Sequence, residues 1–248
     1  MRILGGSTTS DLELTFYSEK YKITSQYTID NILKIHLSPH DMNKTNKFSK
    51  LPFIRGLYIY ISKKFTGTNL KTLKMDWLFI LFIAVYILDN FFLHLSLSDY
   101  IYTSFIFFHF VVAVKNKRMI ELHGAEHMIG NYYDKHNEVS LENIEEVKKH
   151  SIIHERCGSN FFGIKLTILF LSKFFIRDFM VRFAIMEALA YEIIAYRENK
   201  IVYYLSYPLY MLGMWGQKFF FVRYPKDEDI KMAITTVLVL ENEEECNI

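Results

Sequence analysis

Five apolar stretches crowd the middle of this chain, and any fold must find somewhere to put them. They are "WLFILFIAVYILDNFFLHLSL" (77–97), "IYTSFIFFHFVVAV" (101–114), "FFGIKLTILFLSKFF" (161–175), "VRFAIMEALAYEIIAY" (181–196) and "IVYYLSYPLYMLGMWGQKFFF" (201–221). The first is long enough to cross a hydrocarbon core as a helix. The second, third and fourth read as further spans. Pro208, Gly213 and Gly216 break the fifth, which is expected to lie on the surface or re-enter. The fold expected from this bunching is an all-α integral membrane protein of about four transmembrane helices. Of its 248 residues, 51% are hydrophobic and 17% aromatic, which agrees with that expectation.

The remaining segments arrange themselves around the spans. Residues 1–50 form a short polar N-terminal region, in which "DLELTFY" alternates and sets Leu12, Leu14 and Phe16 on one face of a strand. Residues 51–75 are basic, and "LPFIRGLYIYISKKF" reads as an amphipathic helix on an anionic lipid surface, with Pro52 at its start. Residues 76–221 form the membrane domain with a polar loop at 115–160. Residues 222–248 form a C-terminal helix, with Ile230, Ala233, Val237 and Leu240 on one side, and an acidic tail. Lysine and arginine crowd 44–75 and 115–118, whereas the 97–100 turn has none. Positive loops stay inside, so both termini and the 115–160 loop are expected on the cytoplasmic side of a multi-pass inner-membrane protein. Arg177 and Arg182 run against that pattern. A net charge of +2 gives no reason to expect a nucleic-acid partner, and two cysteines make no disulfide framework. The lipid bilayer is the expected partner.

The chemistry concentrates in that loop. "ELHGAEHMIG" places His123 and His127 four residues apart, on one face of a helix, with Glu126 beside them. His-x-x-Glu-His is the inverted zincin order, with two imidazole ligands and a carboxylate able to take a proton from water. About thirty residues on, "IIHERCGSN" offers His154 and Cys157 at knuckle-like spacing, then a glycine. A thiolate near imidazoles suits zinc or ferrous iron over magnesium. Four ligands, His123, His127, His154 and Cys157, would close a structural zinc site. Three ligands and water, with Glu126 free, would make a catalytic one. Arg156 fits an oxyanion-stabilising role or a lipid-phosphate contact. Glu192 reads as a further ligand or the partner of a ligand, or as an ion-pair partner of Arg182 or Arg197. Ser140 suits the N-cap of "LENIEEVKKH".

These motifs resemble the YqhQ family of bacterial membrane proteins, a group without a known reaction that is described as predicted metal-dependent enzymes. "KRMIELHGAEH" is similar to the family's basic turn and His-Gly-Ala-Glu-His. "HERCGSNF" is similar to its His-Pro-Arg-Cys-Gly run, with Glu155 at the proline. "LAYEII", "MWGQKFFFVRYPKDEDIKMAITTVL" and "LPFIRGL" (51–57) match further family segments. The resemblance implies a shared polar site of His123, Glu126, His127, His154, Arg156, Cys157, Glu192 and Gln217. It does not extend to His150. The family's longer Gly-Gly-Gln opening is reduced here to "GGS", and Tyr224 stands where the family has Glu, so the chain reads as a divergent member. Two functions are expected from this set. One is a metal-dependent membrane hydrolase acting on a peptide or lipid-linked substrate. The other is a non-enzymatic scaffold or accessory factor with a structural zinc. A metal transporter or sensor is weaker, because few ligand residues fall in the spans.

Overall fold

A computed structural model describes most of residues 3–39, residues 51–56 and 114–246, and a few isolated positions between 57 and 113. The chain divides into two compact units. One comprises Met1–Lys44, Ala113–Ile164 and Tyr207–Ile248, and the other Thr45–Val112 and Lys165–Ser206.

The first unit is built on an antiparallel meander of four strands: β1 (Gly5–Thr8), β2 (Leu14–Tyr17), β3 (Tyr21–Tyr27) and β4 (Leu33–Pro39), in the spatial order β1-β2-β3-β4. Alternation explains each strand. Leu14 and Phe16 of β2 lie opposite Ser25 and Ile23 of β3, which in turn lie opposite Ile35 and Leu37 of β4. These residues make one apolar face. Leu14, Phe16, Ile23 and Ser25 are buried, while Lys22 and Lys34 alternate to the other side.

Two long helices belong to the same core, α1 (Lys117–His136) and α6 (Asp227–Cys246). α1 contributes Leu122, Ala125, Met128, Ile129 and Tyr132, and α6 contributes Ile230, Ala233, Ile234, Val237 and Leu240. Both sets repeat at three- and four-residue intervals, the period of one helix face. The apolar side expected of the C-terminal helix therefore forms the core. Thr236 of α6 donates to the Ser25 hydroxyl at 2.6 Å, so the polar pair inside this interface is satisfied. Asn116 caps α1 by accepting from Met119 N–H, and Asn137 ends it in the left-handed region at φ 58°. Ser140 caps a single 3₁₀ turn (Leu141–Asn143) that leads into the short α2 (Ile144–Val147).

The expectation of an all-α, four-span membrane protein is overturned. The N-terminal region carries a four-stranded sheet. Among the described residues, no helix is long and apolar enough to cross a membrane. The stretch at 161–175 belongs to α3 (Gly158–Ser172), of 15 residues, and the stretch at 181–196 to α4 (Phe179–Ala195), of 17. At 1.5 Å per residue these reach about 22 and 26 Å, short of the ~30 Å of a bilayer core. Both also carry charge: Lys165 donates to both carboxylate oxygens of Glu187 at 2.7 Å. The inner-membrane location, with both termini cytoplasmic, falls with the spans. The stretch at 201–221 is not broken where expected. α5 (Lys200–Gly216) runs through Pro208 and passes into a π-helical turn, Gln217–Phe221. The expected spans at 77–97 and 101–114, and the basic helix beyond its first turn, lie outside the described residues. The first turn of that helix is present at Ile54–Gly56.

Candidate metal centre

α1 carries both histidines of the site on the side opposite Ala125. Its sequence sorts residue by residue. Ala125 is fully buried in the sheet core, which leaves His123 and His127 for the opposite side. Gly124 lies under the backbone of Arg223: a Cβ there would fall on the Arg223 carbonyl oxygen, well inside van der Waals contact. Arg223 N–H donates to the Ile120 carbonyl at 3.0 Å, which pins the crossing. Glycine at 124 thus lets the chain after the π-turn lie directly on α1.

That crossing delivers an anchor. The Phe221 carbonyl lies 2.9 Å from His123 Nδ1, and the Ile152 carbonyl 2.6 Å from His127 Nδ1. A carbonyl can only accept, so each Nδ1 carries a proton and each Nε2 is the atom left to face a metal. His127 Nε2 is buried with no hydrogen-bond partner. His123 Nε2 lies 3.3 Å from Cys157 Sγ. The three ligand atoms of His123, His127 and Cys157 all fall within 4.8 Å of one another. Zinc bonds of 2.0–2.1 Å to nitrogen and 2.3 Å to sulfur imply an N···S edge of about 3.6 Å in a tetrahedron. The donor set fits: two imidazoles fixed by carbonyls, one of them with an orphaned buried Nε2, and one sulfur.

Cys157 sits just before the first turn of α3. Its sulfur accepts from Ser159 N–H at 3.4 Å and from the Ser159 hydroxyl at 3.1 Å. The loop that presents it is held from below by Gln217, which is fully buried. Gln217 accepts from His154 N–H at 2.9 Å and donates to the His154 carbonyl at 3.0 Å and to Asn160 Oδ1 at 2.8 Å. Asn160 donates in turn to the Glu155 carbonyl at 2.7 Å. Gly213 allows this approach, since a Cβ there would lie 2.5 Å from Asn160 Cα.

The expected site residues separate into groups. His154 does not join the three ligands. Its Nε2 lies 3.5 Å from Asp134 Oδ2, and its ring packs over Gly130. Arg156 is also paired with Asp134. Glu192 belongs to the second unit, where Arg55 Nε and Nη2 donate to its two oxygens at 2.8 and 2.5 Å and Phe53 N–H adds a third bond at 2.8 Å. Its partner is Arg55, not Arg182 or Arg197. His150 sits by the rings of Tyr132 and His136.

Glu126 is buried and faces β1. It accepts from the Thr8 hydroxyl at 2.6 Å, and a Cβ on Gly6 would come within 2.7 Å of its Oε1. The "GGST" strand therefore passes directly over the carboxylate. The sequence offers this strand only as the reduced "GGS" opening. Two adjacent glycines at the start of an alternating segment were the available signal. Asp134, Ser159 and Asn160 were missed as well.

Burial and neighbouring charge tune these groups in opposite directions. Burial raises the Glu126 carboxyl, tempered by His123 and by the Thr8 hydrogen bond. Burial alone would lower His123, but its hydrogen bond with Cys157, the charges of Glu126 and Cys157 and the Phe221 carbonyl carry it up to about 9. His127 is driven well below the usual imidazole range, first by burial and then by His123. Two adjacent imidazoles thus differ in their affinity for a proton.

No curated protein and no solved structure matches the chain. Residues 77–242 span all of the imidazole, thiol and Gln217 positions above, and over them the chain matches, and belongs to, the family described as "Protein of unknown function (DUF1385)".

Proposed function

We propose that the chain is a zinc-dependent hydrolase. His123, His127 and Cys157 would hold the ion, and Glu126 would act as general base. The observation that carries this reading is the paired anchoring of His123 and His127, each fixed through Nδ1 by a backbone carbonyl while the Nε2 atoms converge with the Cys157 sulfur. Structural zinc sites take four protein ligands. Here the obvious fourth, His154, is engaged with Asp134, which favours a coordination position open to a reactant.

Bound zinc would supply Lewis acidity, polarising an acyl carbonyl and making water easier to deprotonate. The chain's residues do the rest. Glu126, freed of solvent and held by Thr8, takes a proton from the attacking water as its oxygen bonds to the carbonyl carbon. It returns that proton to the leaving nitrogen or oxygen as the acyl bond breaks. Arg156 and Gln217 keep the Cys157 loop in place. Arg156, paired with Asp134, acts here as a positioning residue.

The test is turnover of a panel of fluorogenic peptides and acyl esters by the zinc-loaded protein. Glu126→Gln should retain zinc and lose roughly a hundredfold or more in kcat. Activity that survives Glu126→Gln, or survives chelation of zinc, would overturn the reading.

A further inference from the structure

β1 is an edge strand. Strand order places β2 on one side of it and, among the described residues, no strand on the other. The register tells which backbone groups face that open edge. Thr9 N–H donates to the Glu13 carbonyl at 3.0 Å, so Thr9 points toward β2. Hydrogen-bonding direction alternates along an antiparallel strand. Ser7 and Gly5 therefore also point toward β2, opposite Thr15 and Tyr17. Gly6 and Thr8 turn their N–H and C=O groups outward.

Those same two residues touch Glu126. Thr8 binds the carboxylate through its hydroxyl, and Gly6 passes close enough that any side chain would collide with it. Gly6 is exposed, whereas Glu126 beside it is buried. Open backbone donors and acceptors thus run directly past the proposed base. Gly5, Gly6 and Ser7 themselves bring no bulky side chain to that edge.

We propose that β1 is the substrate-binding rail, and that the substrate is an extended peptide that adds to the sheet as a fifth strand. This rests on the hydrolase reading and names its substrate class. Pairing along an edge gives affinity through main-chain bonds and tolerates many sequences. A strand added at the usual spacing of about 4.8 Å would run its carbonyls past Gly6 and Thr8, alongside Glu126. Helical or tightly folded segments could not pair in this way.

The probe is a library of randomised, end-capped decapeptides, offered to immobilised zinc-loaded Glu126→Gln protein. Retained peptides are then remade with single backbone N-methyl groups. Affinity is expected to fall about tenfold on methylating alternate amides and to change less than about twofold on methylating those between, since one lost hydrogen bond is worth roughly a factor of ten. Thr8→Pro, which removes an outward amide, should weaken binding to a similar degree. Absence of any retained peptide, or N-methyl effects without alternation, overturns the proposal. The hydrolase reading is scored separately by zinc content and Glu126-dependent ester turnover. A protein that passes those tests and binds no extended peptide refutes the rail alone. Alternation in a chain that holds no zinc leaves the rail and refutes the hydrolase.

Discussion

Gly124→Ala separates two opposing effects. By helix propensity alone, alanine in the middle of α1 should stabilise the chain by about 1 kcal/mol. The new methyl group, however, would fall on the Arg223 carbonyl oxygen, which is backbone and cannot swing aside as a side chain can. Overpacking of this kind costs about 1–3 kcal/mol. Displacement also strains the Arg223 N–H bond to Ile120 and withdraws the Phe221 carbonyl from His123 Nδ1. Loss of such an orienting partner typically costs about 10–100-fold in metal affinity. The expected outcome is a net loss of roughly 1–2 kcal/mol in urea unfolding, with zinc affinity, read by chelator competition, weakened at least about tenfold. Gly130→Ala is the control. The nearest atoms to its Cβ would be those of the His154 ring, from 3.3 Å, and that ring can shift. A Gly124→Ala protein as stable as the parent, with unchanged zinc affinity, would refute the crossing of residues 221–223 over α1 and the account of why the motif contains glycine.

Two further substitutions test other contacts of the chain. Gln217→Leu should destabilise the first unit by about 2–4 kcal/mol, because it takes the side-chain partner from the His154 N–H and from Asn160 Oδ1 inside the protein; urea unfolding checks the stability. The same variant should weaken zinc binding through the loosened Cys157 loop, read by chelator competition. In the second unit, Glu192→Ala should cost about 3 kcal/mol at neutral pH by leaving Arg55 without its carboxylate. Burial would raise the Glu192 carboxyl, but the Arg55 hydrogen bond outweighs it and holds the group below its ordinary value. A depressed folded value means that the contribution is present above the unfolded carboxylate range, near ~4.3, and is lost as pH falls through the folded value. The difference between wild type and variant should therefore close on acidification below about pH 4, measured by denaturation across pH.

How far the sequence could be read depended on the range of each signal. His123 and His127 come together in sequence and in space, because four residues span one helical turn, and α1 carries both on one face. Their convergence with Cys157 followed from motif chemistry. Ile230, Ala233, Val237 and Leu240 were legible by period and are buried as a set. His154 was misplaced because a ligand type at ligand spacing says nothing of a competing acid, and Asp134 lies twenty residues away. The sheet was the larger omission. "YKITSQY" and "LKIHLSP" alternate as β2 does, but their apolar residues are sparse and part of the buried face is Ser25, made tolerable by Thr236 from the far end of the chain. The apolar stretches misled for a physical reason. Hydropathy reports burial against anything apolar, and helices of 15 and 17 residues with an internal Lys165–Glu187 pair are too short and too charged to span lipid. The role of Gly6 over Glu126 depends on a contact between residues 120 apart and has no local signature.

The most direct test of the central claim is the metal content of the purified, zinc-replete protein by mass spectrometry, beside Glu126→Gln and Cys157→Ser. A centre built from these ligands holds about one zinc per chain in the parent, retained in Glu126→Gln and lost in Cys157→Ser. A parent that carries no zinc under these conditions, or a Cys157→Ser protein that keeps it, would contradict a centre built from His123, His127 and Cys157.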